Sequence, residues 1–89
     1  MTLERIKEFS KSQQLLILGS EFKRAEVWQE KDEEKYKAAL DRALQILDLI
    51  AQDEKWQEQK AMLEGLGEEI VRFRQKENAK GIEALYRAL

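Results

Sequence analysis

The chain contains no proline, no cysteine and no histidine, and only four glycines in 89 residues. Without cysteine it has neither a disulfide framework nor a thiolate, and without histidine it has no imidazole base and no nitrogen ligand for a metal. Any activated serine would need lysine as its base, and no such arrangement of Ser10, Ser12 or Ser20 stands out. We therefore expect no catalytic residue, no metal and no cofactor.

Long apolar runs are also missing. The longest, residues 15–18, is far too short to cross a bilayer, and the first residues lack the apolar core of a signal peptide. A composition of 43% hydrophobic and 38% charged residues is typical of a folded, soluble protein. We expect one domain spanning residues 1–89, located in the cytoplasm, with no membrane partner and no small-molecule substrate.

Apolar residues recur at helical spacing in three separate stripes, and the clearest lies in residues 32–51. At 100° per residue its apolar side chains fall within about 160° of one another: Tyr36, Ala39, Leu40, Ala43, Leu44, Ile46, Leu47 and Ile50. Such a wide face predicts a central helix between two neighbours. Asp32 is its expected N-cap. The carboxylates of Glu33 and Glu34 in the first turn interact favourably with the positive end of the helix dipole.

The next stripe is out of phase with the central one. It begins at Trp56 and continues through Met62, Leu63, Leu66, Ile70 and Phe73. This change of phase predicts a tight turn at Gln52, an N-cap at Asp53 and antiparallel packing of the two helices. Because the phase is kept across Gly65 and Gly67, we expect one continuous helix there, the alternative being a break at the glycines.

The first long helix is expected at residues 11–30. Its main stripe is Leu15, Leu18, Phe22 and Ala25. Leu3, Ile6 and Phe9 are out of phase with that stripe, and Ser10 and Gln13 are spaced as a capping box, so a separate entry helix ending at Phe9 is predicted. An unbroken helix from Thr2 is the alternative.

The C-terminal region predicts one more short helix. Residues 78–81 have the composition of a helix stop, and the residues after them form a short apolar face that should dock on the bundle: Ile82, Leu85, Tyr86 and Leu89. The expected fold class is all-α, an antiparallel up-down-up three-helix bundle with short N- and C-terminal helices. Up-down-up packing places an aromatic cluster at each end of the bundle: Trp28, Tyr36 and Phe73 beneath Tyr86 at one end, and Trp56 with Ile6 and Phe9 at the other.

The first two long helices resemble the helical hairpin of a tetratricopeptide repeat. The resemblance covers about a third of the chain and rests on a helix ending at Trp28, a charged turn over residues 31–34, and the following positions Tyr36, Ala39, Leu40, Ile46 and Leu47. The turn glycine and closing proline of that family are missing here, and a single repeat forms no peptide groove. The resemblance implies a shared packing of two helices and assigns no binding residue.

The first long helix is apolar on more than one side, which predicts an interaction surface. Relative to Leu15, two groups lie about 100–140° and about 200–220° round the helix, namely Leu16, Ser20 and Val27, and then Ile17 and Trp28. We expect this surface to form a homodimer or to bind a helical partner protein, with Gly19 and Ser20 allowing close approach; the alternative is that the terminal segments cover it. The expected function is a non-catalytic protein–protein interaction or adaptor module.

Charge suggests two further hypotheses. The net charge of −2 is divided unevenly, with basic N- and C-terminal segments and an acidic middle. An accessory domain that binds nucleic acid through a basic patch at Arg72, Arg74 and Lys76 is the alternative function, although the acidic pI and the lack of a recognition-helix motif argue against it. A third hypothesis is that Glu64 and Glu68 bind magnesium. The alternative is that both are ordinary exposed acids and that Glu68 forms an ion pair with Arg72.

Overall fold

A computed structural model describes residues 1–76 and 81–89 of the chain. Within these residues the helices are α1 (Leu3–Lys7), α2 (Lys11–Trp28), α3 (Glu33–Ala51), a 3₁₀ helix (Glu54–Gln59), α4 (Lys60–Arg74) and α5 (Glu83–Arg87). Helices α2, α3 and α4 form an antiparallel up-down-up bundle with a short helix at each end of the chain, which confirms the predicted fold class.

The helix starts follow from the predicted capping residues. The Ser10 hydroxyl accepts a hydrogen bond from the Gln13 backbone N–H at 3.2 Å, and the Gln13 side-chain oxygen accepts one from the Ser10 N–H at 2.9 Å. This capping box separates α1 from α2, so the alternative of an unbroken helix from Thr2 is wrong. The Asp32 carboxylate caps α3 by accepting from the Lys35 N–H at 3.1 Å.

Helix α3 is the central helix, as its wide apolar face predicted. Its buried residues are Tyr36, Ala39, Leu40, Ala43, Leu47 and Ile50, and both α2 and α4 pack against it. The Tyr36 hydroxyl donates a hydrogen bond to the Phe73 carbonyl oxygen at 2.9 Å and thereby joins the start of α3 to the end of α4. Burial raises the pKa of this hydroxyl, so it stays protonated as the donor.

The start of the third long helix differs from the prediction. Asp53 is an N-cap as expected, but it begins a 3₁₀ helix, and the α-helix starts only at Lys60. The indole N–H of Trp56 donates to the side-chain oxygen of Gln14 in α2, so a tertiary hydrogen bond overrides the helical period in this segment. Trp56 and Ile6 are buried at this end of the bundle, where the sequence placed them.

Helix α4 runs through Gly65 and Gly67 without a break, as the phase of its stripe predicted. A methyl group built on Gly65 meets no atom within 4 Å, whereas one on Gly67 would lie 3.4 Å from Leu47 Cδ2. The two glycines therefore differ in the space around them. Neither has a left-handed backbone conformation that would require glycine.

Replacing Gly65 by alanine is expected to stabilise the protein by about 1 kcal/mol, because alanine loses less backbone entropy in a helix and here clashes with nothing. Urea unfolding followed by circular dichroism measures the change. Gly67→Ala is the companion variant and should also gain stability, since its added methyl group would meet Leu47 Cδ2 at an ordinary van der Waals distance. A loss of stability in Gly65→Ala would show that the helix is not continuous at this point.

Helix α4 ends earlier than the predicted stop at residues 78–81, of which residues 78–80 lie outside the described part of the chain. The last helical residue is Arg74, and the stop uses Lys76, whose φ of 59° is left-handed, in place of glycine. The Lys76 N–H donates to the Phe73 carbonyl oxygen at 3.1 Å. Its ammonium lies 3.2 Å from a carboxylate oxygen of Glu33, which ties the end of α4 to the start of α3.

Helix α5 docks on the bundle, but Tyr86 does not cover the Trp28 end as predicted. The Ile82 N–H donates to the side-chain oxygen of Gln29 at 3.3 Å, so α5 begins beside the end of α2. From there it runs back along α2, and its fourth residue, Tyr86, lies against Gly19 in the middle of that helix. The antiparallel direction of α5 relative to α2 therefore carries Tyr86 away from Trp28.

A candidate protein interaction surface

Large apolar side chains are exposed to solvent where α5 crosses α2. Leu16 is 66% exposed, Tyr86 is 40% exposed and Leu89 is 36% exposed. These three residues line a shallow cavity of about 440 Å³ together with Ser12, Leu15 and Gly19. Soluble proteins seldom leave contiguous apolar side chains uncovered unless the area binds something.

A second cavity lies on the opposite side of α5, between α5 and α4. Its volume is about 420 Å³, and its lining residues are Leu15, Met62, Gly65, Leu66, Glu69, Phe73, Ala84, Leu85, Ala88 and Leu89. Leu15 and Leu89 line both cavities, so the two cavities are neighbours. Met62, predicted as a core residue, is instead 49% exposed at the rim.

The structure divides the predicted interaction residues into two groups. Leu16, Ser20 and Val27 are exposed on one face of α2, with Val27 54% exposed. Ile17 and Trp28 are half-buried and pack against the core instead. The ring of Trp28 is covered by the Lys35 ammonium, 4.2 Å from its centroid.

Gly19 allows a close approach, but within the chain. A methyl group on Gly19 would lie 3.1 Å from Tyr86 Cε2 and 3.3 Å from Leu89 Cδ1, so α5 sits directly on the α2 backbone here. The Lys23 ammonium lies 4.6 Å from the centroid of the Tyr86 ring. We use the name α2/α5 surface for Leu16, Ser20 and Val27 of α2 with Tyr86 and Leu89 beside them.

Each residue of the predicted basic patch lies beside a carboxylate. Arg72 pairs with Glu69, at 2.5 Å, rather than with Glu68 as expected. Arg74 donates two hydrogen bonds to Asp41 of α3, at 2.6 and 3.3 Å, and these raise the pKa of its guanidinium. Lys76 pairs with Glu33, and its hydrogen bond lowers the pKa of that carboxyl. The charge of the patch is thus balanced locally, whereas phosphate binding uses a concentrated basic excess.

The two acids considered for magnesium, Glu64 and Glu68, are both exposed on α4. Within residues 1–76 and 81–89 no group of three or more acidic side chains is arranged to hold a metal ion. The same residues include no helix that is long and apolar enough to cross a membrane.

No protein-family model, curated protein or solved structure matches this chain. Helices α2 and α3, which carry the resemblance to a tetratricopeptide hairpin, pack against each other.

Proposed function

We propose that this chain is a non-catalytic protein–protein interaction or adaptor module that binds a helix through the α2/α5 surface and self-associates there. The observation that carries the proposal is the exposure of Leu16 and Val27 on one face of α2, where Leu16 also lines the apolar cavity between α2 and α5. Covering apolar area contributes roughly 25 cal/mol per Å² towards a complex, before the entropic cost of association is subtracted. A helix laid along α2 would cover both residues.

The buried polar residues support a structural rather than a catalytic role for the interior. Within the described residues Gln14, Glu21 and Asp53 are the buried polar side chains, and every buried side-chain nitrogen or oxygen there has a hydrogen-bond partner. Gln14 bonds to Asp53, and Glu21 accepts from Arg24 and Arg42, so these groups stabilise the fold. A cytoplasmic location is part of the proposal, because a cysteine-free chain suits a reducing compartment.

Replacing both Leu16 and Val27 by glutamate is expected to convert a self-associating chain into a folded monomer. The two carboxylates would place charge in an interface that must exclude water, at positions too exposed to affect the core. Light scattering on a size-exclusion column gives the mass, and circular dichroism verifies the helix content. The matched control is Val71→Glu, which changes a 38% exposed valine of α4 outside the α2/α5 surface and should behave like the native chain.

Two results would contradict the proposal. A multimer that persists in the doubly substituted chain would move the interface elsewhere. The native chain could instead be a monomer, and both chains would then be immobilised and exposed to a cell extract. If the native and the doubly substituted chains retained the same proteins, this surface would have no role in binding.

A further inference from the structure

We infer that the partner of the α2/α5 surface is a second copy of this chain, with the two α2 helices antiparallel and Leu16 of each copy against Val27 of the other. This inference rests on the proposed function and goes further by giving the orientation and the register of the two copies. It is carried by the spacing and the symmetry of the exposed face of α2.

The exposed face has the spacing of a two-helix seam. Leu16, Ser20, Lys23 and Val27 are separated by four, three and four residues, the alternation that keeps one side of a helix against a partner helix. At 100° per residue the four lie within about 60° of one another. All four are exposed, so the seam is uncovered along three turns of α2.

The same face is self-complementary under a two-fold axis. In an isologous dimer residue i contacts residue j and residue j contacts residue i. With the axis halfway between positions 16 and 27, Leu16 opposes Val27 twice and Ser20 opposes Lys23 twice. A parallel pair would instead stack the two Lys23 side chains in one layer, and it would align the two helix dipoles, whereas the antiparallel pair opposes them.

Lys23 can occupy this seam because its ammonium is held to one side. It lies over the ring of Tyr86, 4.6 Å from the centroid, and 3.8 Å from a carboxylate oxygen of Glu26. The aliphatic part of the side chain is then available to pack beside the small Ser20 of the second copy. The seam thus has apolar layers at its two ends and a thin polar layer at its centre.

Helix α5 widens the contact beyond the α2 pair. Tyr86 and Leu89 lie against Gly19, one residue before Ser20, and remain 40% and 36% exposed. A second helix on α2 would therefore also meet the side of α5. The apolar area of Tyr86 and Leu89 matters because a stable protein interface buries at least about 1,000 Å² in total. Two leucine–valine layers bury less than that.

Cysteine cross-linking tests the inference, because the native chain has no cysteine. Leu16→Cys and Val27→Cys are made as separate full-length variants, oxidised alone and as an equal mixture, and compared on a non-reducing gel. In the antiparallel pair the two substituted positions face each other only between different variants. Identical positions lie about 16 Å apart along the axis, beyond the reach of a disulfide. The mixture should form at least about tenfold more cross-linked dimer than either variant alone.

Ser20→Cys is the control for association, since this position lies near the two-fold axis, about 4.5 Å from its counterpart along the helix, and cross-links in either orientation. If Leu16→Cys and Val27→Cys each formed cross-linked dimer alone, and mixing them formed no more, the antiparallel register would be overturned. The interaction surface itself would remain supported. No cross-link in Ser20→Cys, with a native mass that stays monomeric at high concentration, would overturn the second copy as partner. The extract experiment would then decide the proposed function separately.

Discussion

Replacing Gln14 by leucine is expected to lower the free energy of unfolding by about 3 kcal/mol, although leucine is apolar and similar in size and the site is fully buried. The reason is that Gln14 connects three parts of the chain. Its side-chain nitrogen donates to the Ile6 carbonyl oxygen at 2.7 Å and to the Asp53 carboxylate at 2.9 Å, and its oxygen accepts from the Trp56 indole. Leucine would leave buried groups on α1 and the 3₁₀ helix without these bonds.

Urea unfolding, followed by both circular dichroism and tryptophan fluorescence, measures this loss. The matched control is Gln57→Leu, an exposed glutamine on the same 3₁₀ helix, which should change the stability by less than about 0.5 kcal/mol. Equal stabilities for the two variants would mean that the Gln14 bonds contribute nothing net.

Gln14 also explains why α2 was the hardest helix to interpret from its sequence. The buried side of α2 includes two polar residues, Gln14 and Glu21, and Glu21 pairs with Arg24 and with Arg42 of α3. Leu16, in contrast, is exposed. A hydrophobic pattern cannot reveal a buried polar residue whose partners lie 39 and 42 positions away in the chain. The apparent excess of apolar faces on α2 follows from this exchange of polar and apolar positions.

Local signals were sufficient at three of the helix boundaries. The capping box at Ser10 and Gln13, the cap at Asp32 and the phase change after Gln52 involve neighbours within a few residues, and the structure has each of them. These signals fix the number, order and direction of the helices, and the fold class follows from them.

The interaction surface was only partly predictable. Leu16, Ser20 and Val27 follow from helical periodicity, but the position of α5 depends on where its chain direction carries Tyr86 and Leu89. Met62 gave a usable signal, since it lies at the edge of its stripe rather than at the centre. The signal from Gly19 was ambiguous, because a small residue permits the close approach of any helix. In the structure that helix is α5 of the same chain.

Lowering the pH from about 4 to 2 is expected to remove about 2 kcal/mol of stability through Asp53 alone. Burial would raise the pKa of this carboxyl, but hydrogen bonds from the Lys55 side chain and backbone and from Gln14 outweigh it and lower the pKa to about 2. A carboxyl with a lowered pKa in the folded state binds its proton more readily when unfolded. Its contribution is therefore complete above the unfolded pKa and is lost as the pH falls through the folded one.

Asp53→Asn isolates this contribution, because asparagine stays neutral at every pH. The variant should be less stable than the native chain above about pH 4, and the two stability curves should converge towards pH 2, where Asp53 is itself protonated. Asp48→Asn, at an exposed aspartate near the end of α3, is the control for the removal of a surface carboxylate. A constant difference between the native and Asp53→Asn curves from pH 6 to 2 would show that the ionised carboxylate is not what binds Lys55 and Gln14. Convergence would instead establish that the charge of Asp53 holds the start of the 3₁₀ helix against Gln14 of α2.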